Sequence, residues 1–423
     1  MQRFVVRRSG PLSGTVRLQG AKNSALKLLA ASLLVEGTTR LANVPRITDV
    51  QIMAELLRAL GATVQREESG ELAVTCPAEL TPIAPYDLVE QIRASIVVLG
   101  PLLARRGWAR ISLPGGDDFG GRPIDFHLRA FEELGAEFSF EHGEVTGRCD
   151  QLVGCRIVLE YPSHTTTDNV LMAAVLAKGT TVIENAAREP EVADLAALLC
   201  AMGARIDGAG TSRIEIEGVD ALHPAHHRVV ADRVAAATFL AATGIAGGDV
   251  LVEGARAEHM DMLLVKLSAA GLVLEDGPAG IRVRAEGRLR AVDISTLPYP
   301  GVATDYKPLL VALLSLAQGV SIVTENLYAG RFRYIDELRR MGAEVTTDGH
   351  HVVVRGAERL SGAPVRAPDI RAGAALVLAG LGADGETIVH GAEHVDRGYD
   401  DFVGALAGIG ADIVRLGDAP AVL

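Results

Sequence analysis

Cysteine and aromatic residues are scarce in this chain of 423 residues, and an excess of positive charge is missing altogether. The four cysteines, Cys76, Cys149, Cys155 and Cys200, make no CxxC pair and no zinc-ligand spacing. That excludes a disulfide framework and points to a reduced compartment. Lysine and arginine number 41 against 53 acidic residues, a net charge of −12. Neither nucleic acid nor an anionic membrane is therefore expected as the main partner. The apolar runs, such as residues 94–104 and 234–248, stop short of the roughly 18 residues that a membrane span requires. They read as buried helices. The opening Met1-Gln2-Arg3-Phe4-Val5-Val6 lacks the apolar core of a signal peptide, so a cytoplasmic location is expected. With 48% hydrophobic and 22% charged residues, the composition is that of a well-folded globular protein too long for a single core.

What is present is a repeat. Six times an amphipathic stretch ends in a small motif around glycine: Leu60-Gly61-Ala62, Leu134-Gly135-Ala136, Met202-Gly203-Ala204, Ala270-Gly271-Leu272, Met341-Gly342-Ala343 and Ile409-Gly410-Ala411. Successive glycines lie 74, 68, 68, 71 and 68 residues apart, a period that sets the architecture before any motif is read. The fullest copy begins with DNVLMAAVLAK at 168–178, apolar nearly all round and so a helix buried on every side. GTTVIE at 179–184 alternates and is β-branched, the mark of a strand. PEVADLAALLCAM at 190–202 is amphipathic, and Gly203 stands where a helix C-terminus favours positive φ. The strings ALKLLAASLL, SIVVLGPLLA, AATFLAATGI, PLLVALLSLA and AGAALVLAGL supply the other buried helices. The expected fold class is α/β, with two pseudo-threefold domains of three repeated units each. One covers residues 20–229, including a loop at 113–122. The other is discontinuous, 1–19 plus 230–423, because leading strands at residues 3–6 and 14–19 complete the last unit.

Charged or polar residues gather where each buried helix opens: Lys22-Asn23, Arg93, Ser163 through Asp168, Asp232-Arg233, Thr304-Asp305 and Asp369 to Arg371. They follow the repeat period and so mark equivalent ends of equivalent helices. Helix N-termini offer free N–H groups and partial positive charge. With Lys22, Arg93, Arg233 and Arg371 added, these ends make an anion-seeking cleft, although cap preference alone accounts for part of the pattern. The stretch 113–123 has four glycines between Gly115 and Gly121 and can close over a ligand, carrying Asp117 or Asp118 inward. His223, His226 and His227 have loose metal spacing but fall in a proline-containing linker, so no metal is expected. Residues 185–190 read as a loop closed by proline at a helix start, and Trp108 reads as packing.

Taken together, these residues resemble the enolpyruvyl transferase superfamily, and within it the UDP-N-acetylglucosamine 1-carboxyvinyltransferase (MurA) family. The likeness spans the chain: Gly20-Ala21-Lys22-Asn23-Ser24, Arg93-Ala94-Ser95, Pro114-Gly115-Gly116, Gly121-Arg122-Pro123-Ile124-Asp125, residues 184–190, Asp232-Arg233, Thr304-Asp305, Arg331-Phe332, Asp369-Ile370-Arg371 and Asp396-Arg397-Gly398-Tyr399. The resemblance implies two inside-out α/β domains, with helices inside and sheets outside, closing on a cleft. It also implies transfer of the enolpyruvyl group of phosphoenolpyruvate to a sugar hydroxyl, with release of phosphate and without metal or cofactor. Phosphoenolpyruvate and a uridine nucleotide are the implied partners, and no obligate protein partner is implied. By matching position, Lys22, Arg122 and Arg397 would hold the phosphate, and Arg331, Arg371 and Arg397 the carboxylate, as the arginine fork suits oxyanions. Asp117 would be the loop acid and Asp305 the base, with Asn23 on the sugar. Thr304 and Asp369 would flank the substrates, while Arg93, Arg122, Pro123, Ile124, Asp125, Phe126, Ser163, His164 and Thr165 would face the uridine diphosphate.

Three departures stand out. Asp117 replaces the usual cysteine of the loop; a carboxylic acid can still donate the proton but cannot form the thiol adduct with fosfomycin. The usual Ser-Val-Gly-Ala-Thr is Ser163-His164-Thr165-Thr166-Thr167 here, and Thr165 removes a glycine that would let the backbone approach a ligand closely. Asp305 sits in Val302-Ala303-Thr304-Asp305-Tyr306-Lys307, where the family has Pro-Thr before it and a glutamine-bearing segment after. The resulting expectation is the first committed step of peptidoglycan precursor synthesis, with UDP-N-acetylglucosamine as acceptor. The alternatives are a paralogue acting on another uridine nucleotide, such as UMP in nucleoside-antibiotic assembly, and a nucleotide-sugar-binding protein without catalysis.

Overall fold

A helix that is apolar on every side must be surrounded, and the fold is built around that requirement. The computed structural model describes residues 2–116, 124–328, 330–420 and 422–423. Among them, six buried helices open the six repeats: Lys22–Ala31, Leu99–Arg106, His164–Ala174, Arg233–Ala246, Lys307–Leu314 and Ile370–Leu381. All twelve residues of the last are buried. A strand follows each, then an amphipathic helix, and then the glycine of the repeat, whose φ lies between 85° and 112° in all six copies. Only glycine takes that conformation without a Cβ penalty.

The strands form one four-stranded sheet per repeat, always in the same order. In the third repeat Arg156–Val158 runs parallel to Thr180–Glu184, which pairs antiparallel with Arg213–Glu217, which pairs antiparallel with Arg205–Asp207. Two sheets borrow their edge strand from afar. Leu12–Arg17, ahead of the first buried helix, lies parallel to Gly248–Glu253 of the fourth repeat. His226–Arg228, ahead of the fourth buried helix, lies parallel to Gly37–Ala42 of the first repeat. Of the three histidines read as lying in a linker, His226 and His227 are thus in a strand, and His223 lies ahead of it in irregular structure. His226 meets Glu71 and His227 meets Asp194, each at 2.8 Å. Arg3–Arg7 inserts between Glu386–His390 and Ile413–Leu416, antiparallel to both. Of the two leading strands, therefore, only the first completes the last repeat.

The described chain divides into two compact units, one of residues 20–116, 124–230 and 423, the other of residues 2–19, 231–328, 330–420 and 422. Each has its own hydrophobic core and three of the four-stranded sheets. Each is an inside-out α/β domain, its helices central and its sheets outermost. Outward strand residues such as Val158, Val320 and Val414 are exposed accordingly.

The second buried helix departs from the others. It starts as a 3-10 helix, Arg93–Val98, and becomes α-helical only at Leu99. The cause is Asn169 of the third buried helix. Its Oδ1 accepts from Gly100 N at 2.8 Å and its Nδ2 donates to Ile96 O at 3.0 Å. The amide thus stands between the two groups that an α-helix would bond to each other. At the opposite helix ends, Arg105 donates to the carbonyls of Leu33, Pro77 and Ala78. In the other unit Arg288 does the same for Leu316, Ala317 and Gly356. These guanidiniums satisfy carbonyls left open just past buried helices, at Leu33, Leu316 and Ala317, and past strand ends, at Pro77, Ala78 and Gly356. A groove of about 970 Å³ beside Arg105, Arg106, Trp108, Arg110 and Arg148 opens at this end, where Arg105 and Arg106 are engaged with the protein itself.

All four cysteines are unbridged, and burial pushes the Cys76 thiol up to about 11. No helix of the described residues is long and apolar enough to cross a membrane. Nor does any group of three or more His, Cys, Asp or Glu among them stand ready to hold a metal ion.

Candidate active site

In the unit that holds the last three repeats, a carboxylate and two arginines meet where the fifth and sixth buried helices open. Asp305 precedes the fifth helix; its Oδ1 accepts from Arg331 Nη1 at 2.7 Å and its Oδ2 from Arg371 Nε at 3.2 Å. Both arginines are nearly buried, at 4% and 3% of side-chain surface. Arg371 belongs to the first turn of the sixth buried helix, and its guanidinium lies 5.2 Å from the centre of the Tyr399 ring. Arg397 sits two residues before that tyrosine, at the end of the short helix Ala392–Asp396. Burial pushes the Asp305 carboxyl up, but Arg331 and Arg371 together outweigh it and hold it well below the usual carboxylate range. Arg233 lies against the rings of Tyr299 and Tyr306, at 5.3 and 5.9 Å, and donates to the Tyr306 hydroxyl at 3.2 Å.

The other unit offers a second set. Lys22, at the opening of the first buried helix, pairs with Asp49 at 2.7 Å. Asn23 beside it is half-buried. His127 brings together three segments that the resemblance assigns to the uridine nucleotide. It lies on the helix Asp125–Glu133, directly after Ile124, Asp125 and Phe126. Its Nε2 is 3.4 Å from Thr165 Oγ1 and its Nδ1 is 3.2 Å from Asn169 Nδ2. Burial, with the charge of Arg93 added, lowers its pKa to about 3, so the ring is neutral. Arg93 also donates to Pro114 O at 3.4 Å. His164 turns to an internal partner: its Nε2 is 3.4 Å from Asp168 Oδ2 and 3.4 Å from Lys27 Nζ. Burial pushes the Asp168 carboxyl up to about 7 although Lys27 opposes it.

Several sequence expectations need revision in this light. Three of the helix openings read as free N–H donors are closed by their own side chains. Ser163 accepts from Thr166 N, Asp232 from Val234 N and Ala235 N, and Asp369 from Arg371 N and Ala372 N. Local capping competes with any anion there. Thr304 gives its hydroxyl proton to Glu325 at 2.7 Å. Asp117, Arg122 and Pro123 lie outside the described residues. Sequence reasoning missed Asp49, Asn169, His127 and Glu325 as parts of these clusters. An acidic residue in the first turn of an amphipathic helix, as Asp49 is, reads as an ordinary dipole partner, and only the fold turns it toward Lys22.

Comparison with known proteins gives a consistent result. A protein from Corynebacterium jeikeium named UDP-N-acetylglucosamine 1-carboxyvinyltransferase is 49% identical over 413 residues, covering 98% of this chain and 99% of its own. One of the same name from Nocardia farcinica is 50% identical over 423 residues, with 99% of each chain covered. The solved structure of the enolpyruvyl transferase NikO from Streptomyces tendae superposes with a TM-score of 0.88 at 26% identity, covering 98% of both chains. The family model described as EPSP synthase (3-phosphoshikimate 1-carboxyvinyltransferase) matches residues 6–406, and the chain belongs to that family.

Proposed function

We propose that this protein transfers the enolpyruvyl group of phosphoenolpyruvate to the 3-hydroxyl of UDP-N-acetylglucosamine and releases phosphate, as a cytoplasmic enzyme of peptidoglycan precursor synthesis. The observation that carries this reading is the identity of about half with proteins of that name over nearly the whole of both chains. The Asp305, Arg331 and Arg371 cluster supports it by pairing a base candidate with two buried guanidiniums suited to a carboxylate.

In the reaction, the methylene carbon of phosphoenolpyruvate gains a proton, and the acceptor oxygen bonds to the neighbouring carbon as its hydroxyl proton passes to a base. Loss of a proton from the new methyl group then expels phosphate and restores the double bond. Asp305 is the base and Asp117 the acid in this reading. Lys22, Arg122 and Arg397 take the phosphate, and Arg331, Arg371 and Arg397 the carboxylate. Asp305 is salt-bridged to Arg331 and Arg371, so the substrate carboxylate must compete for them. Once the arginines turn to that ligand, less positive charge faces Asp305, and its basicity rises when there is a proton to take.

One observation favours a second reading. The segment 163–167 departs from the family pattern, and a paralogue that accepts another uridine nucleotide, such as UMP, would explain it. Phosphate release from phosphoenolpyruvate, measured against a panel of uridine nucleotides and nucleotide sugars, separates the two. Turnover of UMP about tenfold better than UDP-N-acetylglucosamine, a gap of ~1.4 kcal/mol in transition-state binding, would reject the cell-wall reading. No phosphate release with any acceptor in the panel would leave only a nucleotide-sugar-binding protein without catalysis.

A further inference from the structure

Behind the arginine cluster lies an ion pair without solvent access. Lys307 Nζ and Glu325 Oε2 are 2.8 Å apart, and neither side chain has exposed surface. Burying two charges costs most of what their attraction returns, so stability alone does not account for the pair. Its bonding pattern suggests another role. Glu325 accepts from Thr296 Oγ1 at 2.7 Å, Thr304 Oγ1 at 2.7 Å, Leu327 N at 2.8 Å and Tyr328 N at 3.2 Å, besides Lys307. One carboxylate thus ties the start of the fifth buried helix to the turn that leads into Arg331.

An ionised carboxylate only accepts, so the single hydroxyl proton of Thr304 points at Glu325. The Thr304 oxygen is left as an acceptor, and Arg331 Nη1 donates to it at 3.2 Å while also donating to Asp305 at 2.7 Å. Lys307 holds the other end of the same residue: its Nζ donates to the Arg331 carbonyl at 2.7 Å and lies 4.0 Å from the centre of the Phe332 ring. Arg331 is thereby fixed at its backbone by Lys307 and at its guanidinium by a hydroxyl whose polarity Glu325 dictates.

We propose that Lys307 and Glu325 are positioning residues that set the Arg331 guanidinium for the carboxylate of the three-carbon substrate. The inference rests on the reading of Arg331 given above. The test uses the full chain with Lys307→Met and Glu325→Gln combined, which removes both charges and leaves no lone ion in the core. Glutamine keeps an acceptor for Leu327 N but offers Thr304 a donor, which reverses the hydroxyl. Thr304→Val, which leaves the ion pair intact, is the second variant. Both should raise the KM for phosphoenolpyruvate by about tenfold or more, the scale of a lost charge-assisted hydrogen bond. The KM for UDP-N-acetylglucosamine should stay within about twofold. A purely structural pair would lower the melting temperature and leave that ratio unchanged. Folded variants whose KM for phosphoenolpyruvate stays within about twofold of wild type would overturn the inference. If the wild-type protein itself releases no phosphate, the functional reading fails instead. Crystal structures of the two variants then decide: Arg331 still bonded to Asp305 overturns the positioning role, and Arg331 displaced supports it.

Discussion

A carboxylate clasped by two guanidiniums is a poor base until one of them is drawn away. Asp305 is so clasped, and its pKa is depressed by Arg331 and Arg371 against the upward pull of burial. Asp305→Asn keeps the shape and removes proton acceptance, so turnover should fall by roughly 10²–10⁴ in a folded variant. Near wild-type turnover would reject the assignment. Because the folded pKa is depressed, Asp305 contributes stability above its unfolded value near ~3.9, and that contribution is lost as pH falls below it. His127 titrates with the same sign but in a higher window. Its folded pKa of about 3 lies below the unfolded value near ~6.5, so the unfolded chain takes up the proton first as pH falls. The His127 contribution to stability should decline by up to ~1.4 kcal/mol per pH unit between about 6.5 and 3, opposed over the upper part of that range by Asp168, whose raised carboxyl takes up its proton first in the folded chain. His127→Gln should flatten that part of the profile in urea titrations run at stepped pH. Asp117 carries the third expectation at this scale: fosfomycin should not inactivate the protein over time, and Asp117→Cys should make it sensitive. Time-dependent inactivation of the unmodified protein would show that Asp117 is not the loop acid.

At the scale of elements, the contact between the second and third buried helices leaves no room for a side chain at Gly100. A Cβ on Gly100 would stand 2.4 Å from Asn169 O and 2.6 Å from Asn169 Oδ1, both closer than real Cβ contacts and the first a backbone atom. Gly100→Ala should therefore destabilise the fold by about 1–3 kcal/mol, the range for overpacking, as read from the urea midpoint. An unchanged midpoint would mean that the helices separate without cost. The elements themselves were legible from their periods: the all-apolar strings became buried helices, and each Gly of the repeat took the positive φ that a helix end requires. The 3-10 start of the second helix was not legible, because the amide that imposes it comes from a residue 69 positions away. Nor was the strand exchange between the first and fourth repeats. An edge strand of three to six residues carries too little pattern to say which of six equivalent sheets it joins.

For the whole molecule, binding linked to folding tests the acceptor without an assay of the chemistry. A nucleotide at about 100 times its dissociation constant should stabilise the folded chain by ~2.7 kcal/mol. Thermal shifts with UDP-N-acetylglucosamine, UMP and other uridine nucleotides, each with and without phosphoenolpyruvate, should rank the acceptors. The absence of a shift with any of them would count against a uridine nucleotide as ligand. The departure at His164 is weaker support for a diverted acceptor than it was as sequence, since the ring meets Lys27 and Asp168.

By itself the sequence determined the repeat, the class of most elements and the family. All three are written in local periods and short motifs that need no knowledge of distant contacts. It also named Asp305, Arg331 and Arg371 as candidate site residues, though only as matches to a pattern. Tertiary structure alone decided what those residues do to one another. The salt bridges that depress Asp305 join positions 26 and 66 residues apart. The tie between Thr304, Glu325 and Arg331 depends on which way one hydroxyl proton points. Charge and hydrogen-bond polarity act through space over a few ångströms, and no period along the chain records them.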